Sequence, residues 1–389
     1  MKNEERLARM NREFEKIFGR RPVIWSRAPG RVDLMGSHTD YNLGYVMTMT
    51  IDRDTWIAAR PREDKIVAVY SLDMPGGGEF ALDDIGHDQA APWTDYVRGV
   101  ALALSEAGYP LWGFDGLVYS TVPVSSGLSS SAALEMATAI LFREIAGFTI
   151  EPLEMALLGQ KAENQFVGVN SGILDQYSSV MGQAGSAILL DCRNLTHGVW
   201  PIATGLQVVI CDTRAQRQLT GSEYDERRSQ CEEGVRLLQH FYPDIVALRD
   251  VNLQQFEAHE TALPPVVARR CRFIIEENRR VLDMAQALET GDVNGLAILM
   301  AESYHGARDL YEIGAPAMAA MMSVMQSAPG VIGARQAGAG FGGCMIALVE
   351  EARVGAFVGH VEQQYQTETG IQPHVYPTRP AAGAGLVVA

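Results

Sequence analysis

Three short stretches concentrate the residue types that handle anions and protons. In the first, Arg31, Asp33, His38 and Asp40 are crowded into ten residues that begin just after Pro29-Gly30. A guanidinium, an imidazole and two carboxylates between small residues suit a polar ligand, although a polar surface loop has the same composition. The second is Pro123-Val-Ser-Ser-Gly-Leu-Ser-Ser-Ser-Ala-Ala-Leu-Glu135. A helix that starts there offers unpaired N–H groups and a positive dipole end. Ser129, Ser130 and Ser131 add hydroxyl donors, and Gly127 allows close backbone approach, so the stretch suits a phosphate. An ordinary serine-capped helix also fits it. In the third, Gly172-Ile-Leu-Asp-Gln176, Asp175 enters a helix beside apolar residues, where a carboxylate is either paired or working. A plain capping role satisfies that pattern too.

The elements that must carry these residues are legible from periodicity. Residues 117–122 read as a strand leading into the serine stretch. Ala133, Met136, Ala137, Ile140 and Leu141 recur at helical spacing after it. Strands are expected at 46–51, 55–59, 66–71, 187–191, 207–212 and 345–349, and helices at 7–18, 93–104 and 153–166. Another helix opens at Gly221, and two or three more follow before residue 325. Trp93 and Tyr96 share a helix face, which fits core packing as well as a base-stacking pocket. Residues 193–201 form the best candidate for a domain boundary.

With 389 residues, 47% hydrophobic and 20% charged, the chain has room for two domains or one large core. A net charge of −15 argues against nucleic acid as partner. The chain has no apolar run of membrane-spanning length, and its charged start does not suit a secretory signal. Lys2, Lys16, Lys65 and Lys161 are the only lysines, and no Gly-x-x-x-x-Gly-Lys-Ser/Thr occurs. A nucleotide would therefore be held without the usual P-loop lysine. Cys192, Cys211, Cys231, Cys271 and Cys344 show no Cys-x-x-Cys pairing, and the eight histidines show no zinc spacing. Reduced thiols in a cytoplasmic protein without a histidine-bound metal are expected. Gly338, Gly340 and Gly343 satisfy Gly-x-Gly-x-x-Gly, but they lead into a strand, whereas a dinucleotide turn leaves a strand and enters a helix.

Gly30-Arg-Val-Asp-Leu-Met-Gly-Ser-His-Thr-Asp-Tyr41, Gly127-Leu-Ser-Ser-Ser-Ala-Ala-Leu-Glu135 and Gly338-Ala-Gly-Phe-Gly-Gly343 together resemble the three motifs of the GHMP small-molecule kinases, most closely the galactokinase branch. Ser222-Glu-Tyr224 and Arg308-Asp-Leu-Tyr-Glu312 are similar to segments of that branch as well. The resemblance implies an α+β fold with a ribosomal-protein-S5-like half at 1–195, a ferredoxin-like half at 196–389 and an active site in the cleft between them. It implies that Gly127, Leu128, Ser129, Ser130 and Ser131 wrap the phosphates of ATP, with Trp93 and Tyr96 at the adenine. Ser131 and Glu163 would hold Mg²⁺. Asp175 matches the carboxylate that receives the proton of the sugar's C1 hydroxyl, and Arg31 the arginine that orients it. His38, Asp40, Gly172 and Tyr224 match positions that hold sugar hydroxyls. A monomer or weak homo-oligomer is expected.

The sequence departs from the branch where it carries Ser37 in place of the usual acidic residue, expected to face the sugar's C6 hydroxyl. That change removes a contact worth about 1.5 to 3 kcal/mol. It also removes repulsion against a C6 carboxylate. The expected reaction is phosphorylation of a galacto-configured sugar at C1, with galactose first and galacturonate or L-arabinose as alternatives. Arg214 and Arg217 are candidate cations for a sugar acid. Asp33 replaces the usual Asn. A non-catalytic sugar and ATP sensor is the remaining alternative, disfavoured because Asp175, Arg31 and Glu163 are all present.

Overall fold

A computed structural model describes residues 3–124, 126–215, 221–338 and 340–387, and it is α+β. The first half contains α1 (Asn3–Phe18), β1 (Ile24–Met35), β2 (Tyr45–Pro61), β3 (Ile66–Ser71), β4 (Gly77–Ala81), α2 (Asp95–Glu106), β5 (Phe114–Ser120), α3 (Ser130–Ala146), α4 (Pro152–Lys161), α5 (Leu174–Met181), β6 (Ser186–Asp191) and β7 (Thr196–Pro201). The second contains β8 (Leu206–Asp212), α6 (Gly221–Leu238), α7 (Leu253–Glu257), α8 (Pro265–Thr290), α9 (Val293–Asp309), α10 (Pro316–Gln326), β9 (Val331–Gln336), β10 (Cys344–Glu350), α11 (Val354–Thr369), β11 (His374–Thr378) and β12 (Gly385–Leu386).

Two sheets organise these elements. The larger runs β12-β1-β2-β5-β3-β4, with β6 on the other part of β2 and β7 on β6. The smaller is antiparallel, in the order β11-β8-β10-β9. The stretch 193–201, expected as a boundary, contributes β7. The β6–β7 hairpin carries the first sheet past residue 195, and β12 returns to it from the far end of the chain. Cores of the two halves also merge: Val32, Met49, Leu128 and Ala133 pack in one cluster with Ile210, Met284 and Ile346. Such continuous apolar burial holds the walls of a cleft in fixed relation.

The expected strands at 46–51 and 55–59 are one strand, β2. Asp52-Arg53-Asp54 separates the two in sequence, yet two steps along β1, from Pro29 to Arg31, are matched by four along β2, from Asp54 to Thr50. The polar residues occupy that irregularity, where Arg27 Nε pairs with Asp54 Oδ2 at 2.8 Å. A bulge of this kind re-aims the side chains beside it. Here it sets Arg31 against the loop before α3, and the Arg31 amide donates to Leu128 O at 3.2 Å.

Candidate active site

β5 ends at Ser120, and α3 begins ten residues later. Its residues from Ala132 to Phe142 are all buried, so its start is fixed by core packing. Gly127 has φ +84°, and Ser129 at the helix start has φ +60°, a conformation a non-glycine residue adopts at some cost. The Ser129 hydroxyl is buried without a partner, as expected of a donor meant for a ligand. Gly30 lies so close that a Cβ there would sit 2.5 Å from Leu128 O. In the third glycine stretch Gly338, Gly340, Phe341, Gly342 and Gly343 all have positive φ. It leads into β10, and Gly338 faces Gly127 O. This placement agrees with the sequence-based rejection of a dinucleotide turn.

Arg31, only 7% exposed, connects this loop to Asp175 at the start of α5. Its Nε and Nη2 donate to Asp175 Oδ1 at 2.8 and 2.5 Å, and its Nη1 donates to Gly127 O at 2.7 Å. Burial works against the guanidinium's charge, but Asp175, Asp33 and Asp40 outweigh it and raise its pKa. Two hollows meet here and share Arg31, Gly127 and Asp175. One, of about 330 Å³, is lined by Trp93, Tyr96, Ser129, Ser130 and Ser131. The other, of about 510 Å³, is lined by Ser37, His38, Asp40, Gly172, Glu163 and Tyr224. Trp93 is also part of the core, as the packing reading expects, with Nε1 donating to Pro75 O at 3.3 Å.

In the second hollow His38, at φ +65°, has its Nδ1 2.8 Å from Tyr41 Oη, which lies 2.7 Å from Tyr311 Oη. Tyr224 from α6 closes on the same imidazole, with ring centres 5.4 Å apart. Burial, with Asp175 adding repulsion, pushes the Asp40 carboxyl up to about 6. A Cβ on Gly172 would collide with Asp40 Oδ2, so a larger residue there would have to displace the Asp40 carboxylate.

Ser37 does not leave its corner uncharged. Its hydroxyl donates to Asp33 Oδ2 at 2.7 Å and accepts from Arg335 Nη2 at 2.8 Å. Fully buried Arg335 also faces Glu277 at 3.3 Å, and Glu277 accepts from Arg280 Nε at 2.8 Å. Burial raises the Glu277 pKa, but Arg280 and Arg335 reverse the effect and lower it. Ser37 thus stands between a carboxylate, Asp33, and a guanidinium, Arg335. Arg335 and Glu277 were not anticipated from sequence. The only signal was an arginine in an otherwise apolar and small strand, Val331-Ile-Gly-Ala-Arg335.

Glu163 lies in a π-helical turn, 162–167, after α4. Its Oε2 accepts from Ser171 Oγ at 2.5 Å and from Gln176 Nε2 at 2.9 Å. Burial raises its pKa, while hydrogen bonds from Ser171, Gln176 and Ser131 oppose the rise. Glu163 and Ser131 are therefore adjacent at the helix start. Among the described residues no group of three or more His, Cys, Asp or Glu side chains surrounds one point.

Arg214 is exposed and lines neither hollow, and Arg217 lies outside the described residues. A third hollow, about 1040 Å³ between α8, α9 and the chain near Leu248, holds none of the expected site residues. No helix among the described residues is long and apolar enough to cross a membrane.

The galactokinase galactose-binding signature matches residues 12–61, the GHMP kinases N terminal domain matches 95–183, and the GHMP kinases C terminal domain matches 284–366. Galactokinase of Roseiflexus sp. (strain RS-1) is 44% identical over 379 residues, 97% of either chain. Galactokinase of Chloroflexus aggregans is 44% identical over 375 residues, 96% of this chain and 95% of that one. The crystal structure of Lactococcus lactis galactokinase complexed with galactose superimposes with a TM-score of 0.92 at 35% identity, covering 97% of this chain and 99% of that one. With its galactose-binding signature, both GHMP kinase domains and near-complete coverage of these relatives, the chain belongs to the galactokinase family of GHMP kinases.

Proposed function

We propose that the chain transfers the γ-phosphoryl group of ATP to the anomeric C1 hydroxyl of galactose, giving galactose 1-phosphate and ADP. The observation that carries this reading is the position of Arg31, whose single guanidinium grips Asp175 and the carbonyl of Gly127 together. Base and phosphate loop are thereby held at one point where two hollows open.

ATP lies with its phosphates over residues 127–131 and its base toward Trp93 and Tyr96. The sugar lies among His38, Asp40, Gly172, Ser37 and Tyr224. Both Arg31 contacts fall on Asp175 Oδ1, leaving Oδ2 to take the C1 proton as the C1 oxygen bonds to the γ-phosphorus and the bond to the β-phosphate oxygen breaks. Phosphoryl transfer needs positioning and charge neutralisation more than covalent catalysis, which a preorganised guanidinium and helix start provide. Ser131 and Glu163 would hold Mg²⁺, which when bound neutralises charge on the β- and γ-phosphates.

A neutral sugar fits better than a uronic acid. Asp33, Asp40, Glu163, Asp175 and Asp225 line the sugar hollow, against one arginine that is already paired. Of the two halves, 1–195 supplies the phosphate loop, base and most sugar contacts, and 196–389 adds Tyr224, Asp225 and Gly338. A cytoplasmic location and a monomer or weak homo-oligomer belong to the same reading, and five buried cysteines outside any disulfide support the first of these. The test is ADP release on adding galactose with ATP and Mg²⁺, with phosphorus NMR to locate the phosphate. A phosphate on C6, or no sugar-dependent ADP release, would refute it.

A further inference from the structure

Glu135 is a fully buried carboxyl that the phosphoryl transfer does not use. It lies on α3 one turn past Ser131, and among the described residues its one hydrogen-bond partner is Gln176 on α5, which is also fully buried. The Gln176 Nε2 carries two protons. It donates to Glu135 Oε2 at 2.8 Å and to Glu163 Oε2 at 2.9 Å. One amide thus ties the phosphate-loop helix and the π-helical turn to the helix whose start carries Asp175.

Each of these two side chains has one polar atom left over. Glu135 Oε1 and Gln176 Oε1 are sealed from solvent and have no partner. An ionised Glu135 leaves both as unmet acceptors, and its charged neighbours Glu163 and Asp175 are acidic as well. Burial and the repulsion from these two push the Glu135 carboxyl well above its usual range. A proton on Glu135 Oε1 makes that atom a donor and gives it Gln176 Oε1 as acceptor. The side chains then close a pair with two arms, acid O–H to amide oxygen and amide N–H to acid oxygen, and no polar atom of either is unmet. Glu163 is the better place for the negative charge, because its Oε2 accepts from both Ser171 and Gln176 and it borders the sugar hollow.

We propose that Glu135 is a neutral acid locked to Gln176 in this two-arm pair, and that the two are positioning residues that hold Glu163 and the start of α5 against the phosphate-loop helix. This rests on the galactose kinase reading, in which Asp175 is the base and residues 127–131 hold the phosphates. Glu135 and Gln176 line neither hollow, so they act through Asp175 and Glu163 and not on a ligand. Without the acid arm the Gln176 amide is free to turn, and its other N–H loses its aim at Glu163.

One test is an infrared difference spectrum between the unaltered protein and Glu135→Gln at about pH 8, where ordinary carboxyls are ionised. A band from a protonated, hydrogen-bonded carboxyl is expected in the unaltered protein and lost in the variant. Its absence would overturn the inference whatever the kinetics. A second test measures kcat and the galactose KM in Glu135→Gln, Glu135→Leu and Gln176→Met, with kcat taken per site counted by nucleotide binding so that partial unfolding does not enter. An amide at position 135 can rebuild both arms, so Glu135→Gln is expected to keep kcat within about threefold. Glu135→Leu and Gln176→Met are expected to lose at least about tenfold in kcat, with the galactose KM within about threefold, which marks lost positioning and not lost binding. A loss in Glu135→Gln as large as that in Glu135→Leu would mean that the charge matters and would overturn the neutral pair. Full kcat in Gln176→Met would overturn the positioning role. If an apolar variant does not fold, the infrared band and Glu135→Gln decide. An unaltered protein with the band but without sugar-dependent ADP release would support the acid–amide pair and overturn the kinase reading.

Discussion

Arg31 Nη2 lies 2.5 Å from Asp175 Oδ1, while the other terminal nitrogen of the same guanidinium donates to Gly127 O. One planar fork therefore fixes the distance between the proposed base and the phosphate loop. Lysine has a single ammonium and cannot make both contacts in that geometry. Arg31→Lys is expected to lower kcat by about 10²-fold or more, comparable with removal of one preorganised donor. Steady-state kinetics with both substrates saturating checks this, and a kcat within about threefold of the original would count against the bridging role.

Gly172 faces Asp40 without room for a methyl group. Its φ is not in the left-handed region, so the penalty for Gly172→Ala is steric. The variant is expected to raise the KM for galactose about tenfold or more by displacing Asp40, with the KM for ATP within about twofold. Equal rises in both constants would show that the two hollows are not separate subsites.

Asp40 contributes to the pH dependence, beside Glu163 and Glu135, whose carboxyls burial also raises. Burial raises its carboxyl from the ordinary 3.8 to about 6, with repulsion from Asp175 adding to the effect. The folded state thus favours the neutral form. The associated stability is fully present below the unfolded pKa and is lost as pH rises through about 6. Ionised Asp40 is the better acceptor for sugar hydroxyls, so galactose affinity is expected to rise over the same interval while Tm falls. Asp40→Asn should flatten both profiles between about pH 4 and 7. Calorimetry and galactose titrations across that range check the pair, and an unchanged Tm profile in the variant would remove Asp40 as the group responsible.

Glu163 adjoins Ser131 at the start of α3, with Gln176 and Ser171 fixing its carboxylate. Glu163→Gln keeps the shape and removes the charge. The Mg²⁺ concentration for half-maximal rate is expected to rise at least about tenfold, with galactose affinity measured without nucleotide within about twofold. A metal titration at fixed ATP decides this, and an unchanged midpoint would place the metal elsewhere.

Much of this was legible in the sequence because the chemistry lies in short, contiguous stretches. Gly127 to Ser131 read as a phosphate cradle because strand, flexible loop and helix follow one another. Asp175 read as a carboxylate either paired or working because apolar residues flank it, and it is paired with Arg31. The resemblance then assigned partners that local pattern could not. Long-range relations were hidden. The bulge that makes 45–61 one strand depends on mismatched pairing with β1, and β7 depends on its hairpin with β6, neither of which is written in its own residues. Short strands such as β4 and β12 have little periodicity to show. Arg335 meets Ser37 and Asp33 across 298 and 302 residues of chain, so only the fold shows that the carboxylate absent at 37 has a neighbour at 33.

The most direct measurement is made on Asp175→Asn, which retains the shape at the meeting point of the two hollows and removes the proton acceptor. Galactose and nucleotide affinities by calorimetry are expected to stay within about fivefold, while single-turnover formation of galactose 1-phosphate falls by at least about 10³-fold. Turnover within about tenfold of the original, with both ligands still bound, would contradict the role of Asp175 as the base.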